Sequence, residues 1–273
     1  MTTDDVSATP SMDRSRAAHD ADRALLDAML DAARAIALTH FRTFPDVAMK
    51  QDASPVTRAD RDIEAHLHAM LAENAPRDGV LGEEMAPVGL ERARLWVIDP
   101  IDGTGAFATG SPLFGVLVAL VEGGVPVLGA IDACATGERW VARRGAGATL
   151  DGRRCRTSGR RTLAEASVAA TALHAFAPGD RASFERVGAA AAITRLGGDC
   201  YAYGLVAAGH LDAVIETDLK PYDYMALIPV IEEAGGVITD WNGAALTLQS
   251  DGRVIAAASA ALHAEIRARL GAP

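Results

Sequence analysis

The sequence predicts one domain of mixed α/β (α+β) class. At 273 residues and 49% hydrophobic content, the chain can bury a large core. Its pattern changes from helical spacing to short β-rich runs between turns, and then to alternating strands and helices. We therefore expect two halves, at about residues 15–160 and 161–273, which share an interface near residues 155–165.

Two helices are predicted before the first strand. After a polar tail that we expect to be disordered up to about residue 14, apolar residues from Leu25 to Phe41 follow helical spacing. The loop KQDASPVTRAD at residues 50–60 precedes a second helix through Ile63, Leu67 and Leu71, for which Thr57 or Asp60 is a candidate cap.

We predict that the rest of the first half consists of strands, and that strands and helices alternate in the second half. Apolar, β-branched runs indicate strands at 79–84, 95–98, 114–121, 125–131 and 139–142, followed by a turn at Asp151 and Gly152. In the second half we predict strands at 167–171, 193–197, 213–217, 237–241 and 254–259, and helices at 180–192, 200–208 and 222–234.

Composition and charge argue against several functional classes. A net charge of −10 disfavours a nucleic-acid surface, which normally needs a basic stripe. The polar start and the lack of a long apolar run predict a cytoplasmic protein that does not bind membranes. Cys134, Cys155 and Cys200 are too far apart for zinc pairs or a disulfide framework, so we expect reduced thiols in or near the core.

Five acidic residues lie where predicted strands end or a helix starts. They are Glu83, Glu84, Asp99, Asp102 and Asp223. An α/β architecture exposes such positions to a shared crevice, where several carboxylates would repel one another unless cations joined them. Carboxylate oxygens, together with the backbone carbonyl of Ile101, are ligands that Mg²⁺ prefers.

Two other interpretations of these acids remain open. The segments GEE and DPIDG are also typical of solvated turns. A DxDGT motif would indicate an aspartyl nucleophile, but Asp99 and Asp102 are three residues apart. That spacing favours metals that hold a water nucleophile.

Several separated motifs together resemble the inositol monophosphatase-like, magnesium-dependent phosphatase family. They are LGEE at 81–84, WVIDPIDGT at 96–104, PYD at 221–223 with EEAGG at 232–236, and the upstream loop at 50–60. The resemblance covers about residues 20–270. It implies a layered αβαβα sandwich, a homodimer, and hydrolysis of a phosphate monoester with two or three Mg²⁺ ions.

The resemblance also assigns roles to residues. It implies metal ligands at Glu83, Asp99, the Ile101 carbonyl, Asp102 and Asp223. Glu84 and Thr104 match the pair that orients and activates the attacking water, while Glu83, Asp102, Gly103 and Thr104 match the phosphate site. Lys50 and Asp60 match a loop that supports an additional metal, although Asp60 is as readily an ordinary helix cap.

The segments at 194–241 and 109–120 look most like histidinol-phosphate phosphatases of the plant-type branch. This implies release of L-histidinol and phosphate, a step of histidine biosynthesis. Histidinol phosphate carries an ammonium and an imidazole, which Asp199 and Glu216 could bind. Arg195 matches a substrate-contacting arginine in some relatives.

Each of these three residues also has an ordinary structural interpretation. Arg195 is a candidate surface ion pair, Asp199 a helix cap, and Glu216 a solvated strand end. Gly105 stands where histidinol-type relatives usually carry a larger, often basic residue. This keeps inositol 1-phosphate or another small aliphatic ester as an alternative substrate, and a regulatory RNA-associated binding protein is the alternative of another class.

Overall fold

Two β-sheets alternate with three layers of helices. The computed structural model describes residues 9–43, 48–49 and 55–271, so Lys50 lies outside the described part. Three apolar clusters fill the spaces between the layers, one on each outer side and one that surrounds the middle helices. The mixed α/β class and the layered αβαβα sandwich are thus confirmed.

The first outer layer consists of helices α1 (Thr9–His40) and α2 (Arg58–Asn74). Helix α1 begins at Thr9, whereas the sequence predicted a disordered tail up to about residue 14. Residues 12–18 include Met, Arg and Ala, which have high helix propensity, and this extends the helix outward. Neither helix, nor any other in the described ranges, has the length and apolar composition needed to cross a membrane.

The first sheet has seven strands in sequential order, and only its first pair is parallel. A separate small sheet pairs β1 (Ala48–Met49) with β2 (Pro55–Val56). The seven strands are β3 (Gly79–Gly82), β4 (Arg94–Asp102), β5 (Gly115–Glu122), β6 (Val125–Ala133), β7 (Glu138–Arg143), β8 (Gly147–Leu150) and β9 (Arg153–Arg154).

Alternation along β4 explains why helices cover both faces of this sheet. Trp96 and Ile98 pack in the cluster formed with α1 and α2, while Leu95 and Val97 belong to the central cluster. Side chains of a strand point alternately to opposite faces, so a continuous apolar run buries both. The short α3 (Thr104–Ala108) follows β4 directly.

The second sheet has five strands in the order β11-β10-β12-β14-β13. Its strands are β10 (Ser167–Ala170), β11 (Ile193–Leu196), β12 (Ala213–Glu216), β13 (Val237–Thr239) and β14 (Val254–Ala257). Its helices are α4 (Pro178–Gly188), α5 (Asp199–Ala207), α6 (Pro221–Tyr224), α7 (Leu227–Glu233) and α8 (Ala260–Leu270). Helices α5 and α7 lie between the sheets, and α4 and α8 form the far layer.

Two helical predictions need correction. The helix predicted at 222–234 is divided into α6 and α7, because Pro229 has no N–H to donate to the carbonyl of Met225. Helix α8 was not predicted, although Leu262, Ile266 and Leu270 form its buried face at four-residue spacing. The three cysteines are unpaired, as predicted.

Candidate active site

The parallel pairing of β3 with β4 brings two acidic segments side by side. Gly82 is the register partner of Ile98, so Glu83 and Glu84 leave β3 next to the point where β4 reaches Asp99. The register of β4 against β5 shifts between Asp99 and Asp102, and this irregularity turns both carboxylates to the same end of the sheet.

Asp223 approaches this pair from helix α6. Its Oδ2 accepts the backbone N–H of Lys220 at 2.6 Å, which closes the first turn of the helix. Its carboxyl group lies close enough to that of Asp99 for each to shift the pKa of the other. Burial raises the pKa of Asp223 to about 6, against the stabilising effect of the Lys220 N–H.

The acidic groups raise one another's pKa. Burial, and then the charges of Glu83, Asp102 and Asp223, hold the pKa of Asp99 well above its usual range. Burial and the charge of Asp199 do the same for the pKa of Asp102. Closely spaced carboxylates of this kind repel one another, and a bound cation would relieve that repulsion.

A divalent cation suits this donor set. The charge of Asp223 is one of those that raise the pKa of Asp99, and a cation between the two carboxylates would relieve their repulsion. In the part of the chain that the structure describes, no group of three or more His, Cys, Asp or Glu side chains is arranged so that it could hold a metal ion as it stands. Oxygen ligands with room for water are typical of Mg²⁺.

Thr104 opens helix α3 directly beneath these acids. Its hydroxyl lies 3.0 Å from the carbonyl oxygen of Ile101 and 3.4 Å from Asp60 Oδ1. Gly103 precedes it with φ of +87°, a conformation that favours glycine. Gly103 and Thr104 therefore form a tight turn between the end of β4 and a helix start.

Asp60 is the predicted cap of helix α2 and also approaches Thr104. Its Oδ2 accepts the backbone N–H of Thr57 at 2.8 Å and the Thr57 hydroxyl at 2.5 Å, which is a cap of helix α2. Its other oxygen faces Thr104. The cap therefore holds Asp60 beside the candidate site.

Asp199 comes from the second half and faces Gly103. It is the first residue of α5 and has a positive φ of 44°, which is uncommon for a residue with a side chain. A Cβ atom on Gly103 would lie 3.0 Å from Asp199 Cγ. The side chain does not cap α5, so the predicted capping role is wrong.

Glu216 is buried at the end of β12 and is not a solvated strand end. Its two oxygens accept the backbone N–H of Thr171 and the hydroxyl of Tyr203, each at 2.9 Å. Burial raises the pKa of Glu216, and burial together with Glu216 raises the pKa of Asp199 to about 7. The two acids form a second carboxylate pair beside the first cluster.

A cavity of about 190 Å³ joins the two groups of acids. Five carboxylates line it, and no Lys, Arg or His from the described ranges does so. The lining residues are Asp102, Thr171, Ala172, Ala175, Phe176, Asp199, Tyr203, Glu216, Thr217, Asp218, Leu219 and Asp223. The cavity is therefore suited to cations and to groups that donate hydrogen bonds.

Arg195 does not lie with the other predicted site residues. It is exposed on β11, the edge strand of the second sheet, two strands away from β12 and Glu216. It does not line the acidic cavity, and it makes no ion pair with a carboxylate in the described part of the chain. The sheet order explains this separation, which the sequence does not reveal.

A comparison with known protein families identifies the family of this chain. The model of the inositol monophosphatase family matches residues 19–271, which is most of the chain. The chain belongs to the inositol monophosphatase family. The expected resemblance is thereby confirmed, and with it a phosphatase family.

Individual members of the inositol monophosphatase family differ in their stated substrates. The chain is 41% identical over 80% of its length to the chloroplastic bifunctional phosphatase IMPL2 of Arabidopsis thaliana, of which it spans 63%. It is 38% identical to the histidinol-phosphatase of Mycobacterium tuberculosis, with 82% of this chain and 87% of the relative covered. An inositol monophosphatase structure from Zymomonas mobilis superposes with a TM-score of 0.85 at 39% identity, covering 93% and 99% of the two chains.

Sequence reasoning missed a buried acid beneath the family's LGEE motif. Glu64 of α2 is fully buried, and its carboxylate accepts the backbone N–H groups of Glu84 at 2.7 Å and Met85 at 2.9 Å. A signal for it was present, because Glu64 shares the apolar face of Leu67 and Leu71. A charged residue on a buried helix face needs partners.

Proposed function

We propose that this protein is a Mg²⁺-dependent phosphatase that hydrolyses histidinol phosphate to histidinol and phosphate. The observation that carries the proposal is the cavity beside the acidic cluster, which five carboxylates and no basic side chain of the described residues line, and of these five only Asp218 is paired with a lysine, Lys220. Acids beyond those needed for metal binding suit a substrate whose alcohol part is a cation.

The metal ligands of this proposal are Glu83, Asp99, the carbonyl of Ile101, Asp102 and Asp223. Their support is geometric and electrostatic, because Glu83 and Asp99 leave adjacent strands at one end of the first sheet, and the charges of Glu83, Asp102 and Asp223 raise the pKa of Asp99. Two or three bound Mg²⁺ ions would lower the pKa of a water nucleophile and neutralise the phosphate and the departing alkoxide.

Glu84 and Thr104 are proposed to position the attacking water. When the Thr104 hydroxyl donates to the Ile101 carbonyl at 3.0 Å, its lone pairs stay available to accept a hydrogen bond from water. Glu84, held in place through its backbone N–H by Glu64, takes the proton from that water. The tight turn at Gly103 lets the backbone N–H groups of Gly103 and Thr104 approach a phosphate oxygen.

Asp199 and Glu216 are proposed to bind the cationic part of the substrate. Glu216 already accepts two hydrogen bonds. Burial and the charge of Glu216 raise the pKa of Asp199 to about 7, so its ionised form lacks a compensating positive charge. An ammonium or imidazolium group beside Asp199 would favour its ionised form and gain a charge-assisted hydrogen bond.

Inositol 1-phosphate is the alternative substrate. The similarity to the inositol monophosphatase of Zymomonas mobilis favours it, and so does Gly105 in place of a larger residue. Inositol is neutral, so its hydroxyl groups would donate to Asp199 and Glu216 without a charge. The two substrates can therefore be distinguished by the dependence on Asp199.

A homodimer is also proposed. The edge strand β11 exposes Ile193 and Leu196, whose exposed fractions are 56% and 52%. An unpaired edge with apolar side chains is a common site of association. A monomeric mass in light scattering at micromolar concentration would contradict this part of the proposal.

The metal mechanism is tested with Asp99→Asn and Asp223→Asn. We expect each to lose both Mg²⁺ binding in calorimetry and phosphate release, by at least roughly a hundredfold in kcat. Near-normal turnover that does not respond to Mg²⁺ would contradict the mechanism.

A further inference from the structure

A basic segment interrupts this acidic chain. Five arginines fall within the nine residues from Arg153 to Arg161, in a protein of net charge −10. The segment leaves β9 and crosses to the second sheet. One of its arginines is engaged, because the Arg160 guanidinium lies 3.5 Å from Glu165 and 3.9 Å from Asp212.

Three of the other arginines line a single open cavity of about 600 Å³. Arg153, Arg154 and Arg156 are all exposed, and none of them forms a side-chain hydrogen bond or ion pair with any residue that the structure describes. The lining is completed by Leu150, Asp151, Cys155, Ala208 and His210. We name this cavity the arginine pocket.

The arginine pocket has an excess of unpaired positive charge. Asp151 is its one carboxylate among the described lining residues, and Asp151 Oδ1 already accepts the backbone N–H of Arg139 at 2.9 Å. Some exposed arginines elsewhere are paired, since Arg181 pairs with Glu185 and Arg253 pairs with Asp180. The Arg154 side chain extends over Gly147 of β8, while Arg153 and Arg156 leave two unpaired guanidinium groups at this concave place, which repel one another unless an anion joins them.

The arginine pocket is separate from the acidic cavity, although one helix connects the two. Asp199 at the start of α5 lines the acidic cavity, and Ala208, just after its end, lines the arginine pocket. The ends of this nine-residue helix are about 13 Å apart, and no lining residue is shared. The arginine pocket is therefore not a subsite for the scissile phosphate.

We propose that the arginine pocket binds a small anion that carries at least two phosphate groups, such as a nucleoside diphosphate or a sugar bisphosphate. A guanidinium binds phosphate oxygens through two parallel N–H donors, so Arg153 and Arg156 can each bind one phosphate group of the anion. The cavity volume lies in the range of small-molecule sites. A long nucleic acid is disfavoured, because its backbone would leave the pocket and meet an acidic surface.

The test uses inorganic pyrophosphate as the probe and isothermal titration calorimetry on the full-length protein in EDTA. Without Mg²⁺, the acidic cavity repels this anion. We expect saturable binding at about one site per chain that weakens with added salt, and inorganic phosphate should bind roughly tenfold more weakly. The triple variant R153A/R154A/R156A should weaken pyrophosphate binding by roughly tenfold or more.

The matched control is R77A/R161A/R269A, which removes the same charge from exposed arginines that do not line the pocket. It should change the pyrophosphate affinity by less than about twofold. An equal loss in both triple variants, or no saturable binding to the wild type, would overturn the proposal. Tighter binding of a short RNA with the same number of phosphates would assign the pocket to nucleic acid instead. If the first triple variant does not fold, R153Q/R156Q with an unchanged melting temperature gives the same comparison.

Discussion

The carboxylate of Glu64 holds the backbone of Glu84, because Glu64 Oε2 accepts the Glu84 N–H at 2.7 Å. Its second oxygen accepts the next N–H, that of Met85. Gly82 makes this possible, since a Cβ atom there would collide with the Glu64 carboxylate. The α2 helix thus anchors the turn that carries Glu83 and Glu84, although Glu64 itself makes no proposed contact with substrate.

Glu64→Gln should damage the site through this turn. The amide of glutamine offers only one acceptor, so one buried backbone N–H loses its partner at a cost of about 1–3 kcal/mol. We expect roughly tenfold lower kcat/KM and a higher Mg²⁺ concentration for half-maximal activity. Glu73→Gln, an exposed position on the same helix, is the control. A loss of stability with unchanged Mg²⁺ dependence would show that Glu64 has only a structural role.

Gly103 and Gly105, which lie on either side of Thr104, should respond in opposite ways to substitution by alanine. Gly103→Ala places a Cβ at φ of +87° and 3.0 Å from Asp199 Cγ, which should cost about 1–3 kcal/mol and most of the activity. Gly105→Ala meets no atom within 4 Å and should stabilise α3 by about 0.5–1 kcal/mol. Urea unfolding and phosphate release measure both effects. Equal behaviour of the two variants would contradict the described geometry.

The fold was predictable wherever local patterns were strong. Strands β3 to β7 of the first sheet follow from apolar runs between turns, and the alternation after Ser167 follows from the change of period, whereas β8 and β9 were not predicted. The division between α6 and α7 depends on one missing N–H at Pro229, and the early start of α1 depends on the helix propensity of residues 12–18. Such local effects shift the ends of elements without changing their order.

The site was predictable to the extent that its residues lie in sequence motifs. Glu83, Asp99 and Asp102 lie at the ends of adjacent strands, so the topology brings them together as expected. The position of Arg195 depends instead on the order of strands in the second sheet. The role of Glu64 depends on a contact across twenty residues. Long-range packing of this kind has no signature in local spacing.

Asp199→Asn tests the proposed cation contact. The amide cannot carry a negative charge, so the KM for histidinol phosphate should rise roughly tenfold. The KM for inositol 1-phosphate, whose alcohol is neutral, should change by less than about twofold. Steady-state kinetics at saturating Mg²⁺ give both values. Equal effects on the two esters would reject the contact.

Stability should fall between about pH 7 and pH 5 because of His263. Burial, and then the charge of Arg267, lower the pKa of this side chain to about 4, and its ring contacts the Thr239 hydroxyl at 2.8 Å. The unfolded chain takes up a proton near pH 6.5 while the folded chain does not, so stability is lost as the pH falls, by about 2 kcal/mol at pH 5.

The measurement for His263 is urea unfolding across this pH range. His263→Gln should flatten the pH dependence, while His174→Gln, at an exposed position, should leave it unchanged. A wild-type slope that survives the substitution of His263 would assign the effect to other groups.

The most direct measurement is a phosphate-release panel with Mg²⁺ that compares histidinol phosphate, inositol 1-phosphate, fructose 1,6-bisphosphate and 3′-phosphoadenosine 5′-phosphate. The acidic cavity predicts the highest kcat/KM for histidinol phosphate, with no turnover after EDTA treatment. A higher kcat/KM for any neutral or more anionic ester would contradict the proposed substrate, and turnover that persists in EDTA would contradict the metal mechanism.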